Sequence, residues 1–172
     1  MFTLRLFVLT LLLSGCAAPY DYAEDVNFRT FTSVALAPSS DVNSLDGARI
    51  GAAAEAMLPA RGLRLTTPDQ ASLWLHYRLL QETKLLTTMP SMFSRHGSVW
   101  DDEERVYGAV RQQRLELWLT EPQNGKVLWR SKHPKAFPAD NINGMARSRR
   151  IEQQVAELLS NYPPRPRHAT DK

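Results

Sequence analysis

Residues 71–81, ASLWLHYRLLQ, alternate with period two. Ala71, Leu73, Leu75, Tyr77 and Leu79 fall on one side of an extended chain, and Ser72, Trp74, His76, Arg78 and Leu80 on the other. Residues 111–122, RQQRLELWLTEP, repeat the arrangement, with Leu115, Leu117 and Leu119 set against Arg114, Glu116, Trp118 and Thr120. Two strands are predicted, each with a leucine face and a face carrying an indole and charges. Asn124-Gly125 follows, a pair that accepts the positive φ of a tight hairpin turn. Residues 126–132 are therefore the predicted return strand, with Val127 and Trp129 on one face. Upstream, TSVALAP (32–38) alternates weakly and stops at Pro38, which predicts a first strand, and LRLTTP (63–68) predicts a brief second one.

The period changes to 3.6 in two stretches. With Asn43 as N-cap and Asp46 in the first turn, Ile50, Ala54, Met57 and Leu58 share one face of a helix that Pro59 and Gly62 end. In residues 140–162, Ile151, Val155, Leu158, Leu159 and Tyr162 form the stripe of a core-facing helix. Pro163, Pro164 and Pro166 stop it, and residues 163–172 are expected to form a flexible, proline-rich tail. Residues 87–110, with Pro90, Gly97, the acidic run 101–104 and Gly108, read as a long loop joining the two long strands, or as a loop into which the adjoining strand ends extend. The order predicts an α+β two-layer sandwich over residues 28–162: a mixed or mostly antiparallel sheet of four to five strands with two main helices on one face.

The first residues follow a different logic. Arg5 precedes an apolar run from Leu6 to Leu13 broken only by Thr10, and the small residues Ser14 and Gly15 close it. That is the composition of a secretory signal. The run is shorter than the roughly 20 residues a membrane-spanning helix needs. The next residue is Cys16, the one cysteine of the chain. Leu13-Ser14-Gly15-Cys16 resembles the bacterial lipobox, and the resemblance implies cleavage between Gly15 and Cys16 with acylation of Cys16. Residues 1–15 are then a lipoprotein signal peptide and residues 16–27 an acylated cysteine with its tether. Each buried methylene contributes about 0.8 kcal/mol, so several acyl chains anchor a domain stably where one does not. Ala17 is not the aspartate associated with inner-membrane retention in Gram-negative lipoproteins. The expected address is the periplasmic face of the outer membrane.

Composition narrows the partners. The chain has 172 residues, is 43% hydrophobic and carries a formal charge of +3. Its arginines are scattered among acidic residues, so no nucleic-acid footprint is present. Beyond Cys16 no thiol remains for a disulfide, a nucleophile or a metal.

Several stretches carry a family likeness: the lipobox with its tether, DVNFRTFTSVALAP, ARIGAAAEAMLPARGL, PDQASLWLHYRL, LELWLTEPQNGKVLWRS and the closing IEQQVAELLSNYPP. In this order the chain resembles the Gram-negative lipoproteins that share the domain of unknown function numbered forty-one thirty-six. The resemblance implies fold and address, not chemistry. Residues 87–110 depart from the glycine- and aromatic-rich pattern of many relatives.

Candidate chemistry is sparse. His76, His96, His133 and His168 show no metal-ligand spacing, and each is expected at the surface. No G-x-S-x-G elbow and no glycine-rich phosphate loop occur. The acidic run 101–104 lacks the order of a calcium loop and reads as a solvated segment. No metal, cofactor or catalytic residue is assigned. The feature that stands out is the face opposite the leucines. There Trp74, His76, Arg78, Arg114, Glu116 and Trp118 form a candidate recognition face, because antiparallel sheets can leave one side wet and aromatic residues are enriched at contacts. Against this stand two alternatives: the long loop buries the indoles, or they form an ordinary cross-strand pair. The expected function is a non-enzymatic, outer-membrane-anchored binding or envelope-maintenance module. It would meet the membrane through Cys16 and a periplasmic protein, glycan or lipid through its domain. The alternatives are a subunit of a larger envelope complex and a hydrolase of envelope polymers.

Overall fold

The computed structural model describes residues 20–38, 40, 43–87, 106–140 and 143–164. Its sheet has seven strands: β1 (Tyr20–Tyr22), β2 (Ser33–Leu36), β3 (Arg64–Leu65), β4 (Leu73–Thr87), β5 (Val106–Thr120), β6 (Val127–Lys132) and β7 (Phe137–Pro138). The helices are α1 (Leu45–Met57) and α2 (Gly144–Leu159). The sheet runs β1-β6-β5-β4-β2-β3, with β7 also pairing β5. It is mixed: β2 lies parallel to β3 and β4, and the other pairs are antiparallel. The α+β class is as expected, but seven strands exceed the expected four to five. The extra ones are short: β1 lies within the stretch read as tether, and β7 has only two residues.

Period two produces the predicted division. Leu73, Leu75, Leu115, Leu117 and Leu119 are fully buried and join Ile50, Ala53, Ala54 and Leu58 of the first helical segment and Ile151, Val155, Leu158 and Leu159 of α2 in one core. Met57, expected on that stripe, is exposed. The small residues Gly47, Gly51, Ala53 and Ala54 let α1 lie close to the sheet. A Cβ on Gly51 would meet Leu36 Cδ1 at 3.0 Å. Ser44 rather than Asn43 caps α1, accepting a hydrogen bond from the Gly47 amide, and Asn143 caps α2 in the same way through Ala146. Asp46 ties the helices together by accepting from Arg147 of α2 at 2.6 and 2.8 Å and from Arg49 at 2.8 Å.

The hairpin at Asn124-Gly125 forms, with Gly125 at φ 68° and the Asn124 side chain accepting from the Lys126 amide. The return strand differs from its predicted facing. Val127 is exposed while Leu128 and Trp129 are both fully buried. A register shift between Leu119 and Thr120 allows adjacent residues to point inward. His133 corrects another expectation: it is buried, its Nε2 2.8 Å from Glu157 Oε2 and its Nδ1 2.9 Å from the Lys135 carbonyl. Tyr162 and Pro164 are also buried, so the packed body reaches past α2. Gly15, Cys16, the acidic run 101–104, His96, His168 and most of the predicted loop 87–110 lie outside the described residues.

Candidate recognition face

The β4–β5 register brings the predicted residues together on the side of the sheet away from the helices. His76 stands opposite Trp118, Arg78 opposite Glu116, Leu80 opposite Arg114 and Trp74 opposite Thr120. The His76 and Trp118 rings stack at 5.1 Å between centroids with 6° between planes. Arg78 lies over the indole at 5.8 Å and Arg130, supplied by β6, at 6.0 Å. Both guanidiniums also meet Glu116: Arg78 at 2.6 Å and Arg130 at 3.5 Å. The centre is a half-buried indole framed by two cations, with a buried carboxylate holding the cations in place. Cations near an aromatic face are attracted by its quadrupole, by about 0.5–1 kcal/mol at exposed sites.

The remaining residues form the margins. Trp74 is half-buried and donates its indole N–H to the Pro68 carbonyl at 3.0 Å. It is diagonal to Trp118 rather than opposite, so the two indoles are not a cross-strand pair. Arg114 binds Glu82 at 2.7 and 2.8 Å and donates to the Pro134 carbonyl at 2.6 Å. These contacts turn it toward the far end of the face, away from Trp118's cluster. Its guanidinium holds the Glu82 carboxyl below the ordinary glutamate value. His76 Nε2 lies 2.9 Å from Thr120 Oγ1, and burial lowers the imidazole's pKa, so the ring is neutral at pH 7. Arg130 and Thr120 were not among the predicted site residues. Arg130 stands opposite Trp118 in the β5–β6 register, whereas counting from the Asn124-Gly125 turn would set Ser131 there; the register shift at Leu119/Thr120 makes the difference.

Among the described residues no group of His, Cys, Asp and Glu is arranged to hold a metal ion. Nor is any helix there long and apolar enough to cross a membrane.

A seven-stranded α+β sheet covered by helices on one side, with an aromatic and cationic surface on the other, defines the class of domain. The chain belongs to the family of the domain of unknown function DUF4136, whose profile matches residues 18–164. No curated protein sequence matches it. Among solved structures, a PDZ domain protein from Parabacteroides distasonis shares the fold, with a TM-score of 0.57 and 12% identity over 87% of this chain. This chain spans 36% of that protein's length. A PelC dodecamer from Paraburkholderia phytofirmans is similar at a TM-score of 0.46 and 16% identity, over 83% of this chain and 93% of its own. A minor lipoprotein from Acinetobacter baumannii is similar at a TM-score of 0.33 and 12% identity, over 77% of this chain and 89% of its own.

Proposed function

We propose that this protein is a non-catalytic binding module of the cell envelope, held on the periplasmic face of the outer membrane by acylated Cys16, with the Trp118 face as its contact surface. The observation that carries the reading is Trp118 itself. A large, half-exposed indole is stacked on His76 and framed by Arg78 and Arg130, on the sheet side that the helices leave uncovered. Such a platform suits a planar or ring-shaped partner group bearing negative charge, on a periplasmic protein, glycan or lipid. The charges favour recognition over acid-base work, because each carboxylate at the site is already bound by arginine: Glu116 by Arg78 and Arg130, and Glu82 by Arg114. A carboxylate whose oxygens are already engaged by guanidiniums is poorly placed to serve as a general acid or base. The address rests on Leu13-Ser14-Gly15-Cys16.

Co-purification from detergent-solubilised membranes tests both parts. The wild-type chain is expected to bring down a partner, which Trp118→Ala with Arg130→Ala loses while remaining folded. An unchanged set of partners contradicts the recognition face. Mass spectrometry of the purified protein is expected to show acyl chains on Cys16, and an unmodified Cys16 contradicts the anchor.

A further inference from the structure

β4 and β5 are equally long, yet their outer edges are treated differently. In their ladder the pairs 75/119, 79/115, 81/113 and 83/111 stand directly opposite one another. The Leu75 carbonyl accepts from Ala37 on one side, and the Leu115 and Arg111 carbonyls accept from His133 and Ala139 on the other. The backbone groups of these odd-numbered residues therefore point out of the ladder on both strands. On β5 they are met by β6, by His133, and by β7 with the residue after it. On β4, β2 pairs only with residues 73–75. From Leu79 to Leu85, no described strand covers the outward N–H and C=O groups of Leu79, Gln81, Thr83 and Leu85. An uncovered edge of this length is a template for another strand.

A cavity of about 820 Å³ opens beside the first part of that edge, at Leu79 and Gln81. On the helix side it is walled by Leu45, Asp46 and Arg49 from the start of α1 and by Arg147 of α2. It wraps round the edge to Arg78 and Trp118. Its charge is unbalanced: Arg49 and Arg147 share the single carboxylate of Asp46. The amino-terminal end of α1 adds partial positive charge. Leu45 is 77% exposed at the rim and supplies an apolar contact.

We infer that β4's free edge receives an extended acidic polypeptide segment, which adds a strand to the sheet from Leu79 to Leu85 and directs alternate carboxylates toward Arg49 and the start of α1. Backbone pairing supplies affinity in this mode of recognition, and the alternate side-chain contacts supply the preference. The inference needs only the edge and the α1 cavity wall, and it stands whether or not Trp118 binds anything.

The test uses the full chain with two probe octapeptides, one of alternating glutamate and valine and one of alternating lysine and valine. Amide exchange is followed residue by residue. Expected is slowed exchange at Leu79, Gln81, Thr83 and Leu85 with the glutamate peptide, and little effect from the lysine peptide. Gln81→Pro removes one outward N–H and none of the β4–β5 ladder, which an edge position tolerates. It should weaken the glutamate peptide by about tenfold, roughly the worth of one lost hydrogen bond plus the clash, with the exchange of the even-numbered amides unchanged. Arg49→Gln should weaken the glutamate peptide while sparing the fold, and it keeps the test open if the proline variant unfolds. Equal binding of both peptides overturns the charge assignment. Protection of the four amides in the free monomer, protection that grows with protein concentration as copies pair through β4, or no protection by either peptide overturns the proposal.

Discussion

The two faces of the β4–β5 ribbon are built from the same residues counted odd and even, and they solve opposite problems. The odd face, Leu73, Leu75, Leu115, Leu117 and Leu119, is fully buried beneath α1 and α2. Its stabilisation comes from apolar area removed from water. The even face presents Trp74, His76, Arg78, Arg114, Glu116 and Trp118, and every charge on it is paired within the face. On one side burial holds the side chains, and on the other a mutual network holds them. A buried face can be changed only at a cost to the fold. A networked, half-exposed face can exchange an internal contact for a partner's, because water and ligand compete there on similar terms.

The comparison breaks most visibly through the leucine side. Leu117→Ala and Leu158→Ala should each cost about 2–5 kcal/mol, as deletions of fully buried side chains do. Urea unfolding monitored by circular dichroism checks this, and unchanged midpoints would mean that the wrong face has been placed inside. The next effect comes from the link between the helices. Asp46→Asn should cost about 1–3 kcal/mol, since it weakens the bonds to Arg147 and Arg49 and leaves two guanidiniums sharing no carboxylate. The same carboxylate sets an acid limb. Hydrogen bonding from Arg147 lowers its pKa below 3.8, so its stabilising contribution is complete above that value and is lost as pH falls through the lower, folded value. Thermal melts from pH 5 down to pH 2 should show that loss, and Asp46→Asn should flatten it.

The even face should respond more gently. Trp118→Ala is expected to cost about 0.5–1.5 kcal/mol, the scale of one aromatic stacking contact, against the larger cost of Leu117→Ala one residue away. The smallest effect is His76's. Burial depresses its pKa below 6.5, so the unfolded chain takes up the proton first and stability declines as pH falls through 6.5 toward the folded value. Protonation also places a cation beside Arg78. Comparing His76→Gln with wild type at pH 5.5 and pH 7.5 isolates this contribution, and the variant should show less dependence on pH.

The comparison also explains what the sequence could and could not disclose. Period two in residues 71–81 and 111–122 is a local property, and it assigned both faces correctly. Ile151, Val155, Leu158 and Leu159 were equally legible, because a helical stripe repeats every turn. Trp129 was not, because the register shift at Leu119/Thr120 breaks alternation in β6 and brings Leu128 and Trp129 inward together. His133 was not legible either: its burial depends on Glu157, 24 residues away on α2, and nothing near His133 announces that partner. β1 and β7 are held by long-range backbone bonds to β6 and β5 and are too short to show a period. The six even-face residues could be placed on one face by counting. Their division into a Trp118 cluster and an Arg114–Glu82 arm, and the arrival of Arg130 from β6, depend on inter-strand register. So does the edge of β4 that no described strand covers, which follows from strand order and not from any residue in β4.

The central claim is that Trp118 belongs to an accessible face while Trp129, eleven residues on, belongs to the core. Two variants test it, one retaining only Trp118 and one only Trp129, with phenylalanine at each of the other tryptophan positions. Indole emission and acrylamide quenching are then measured in the folded protein. Trp118 should emit to the red and be quenched readily, and Trp129 should emit to the blue and be shielded. Emission from Trp118 as blue and as shielded as that from Trp129 would place both indoles in the interior, and the recognition face would not exist.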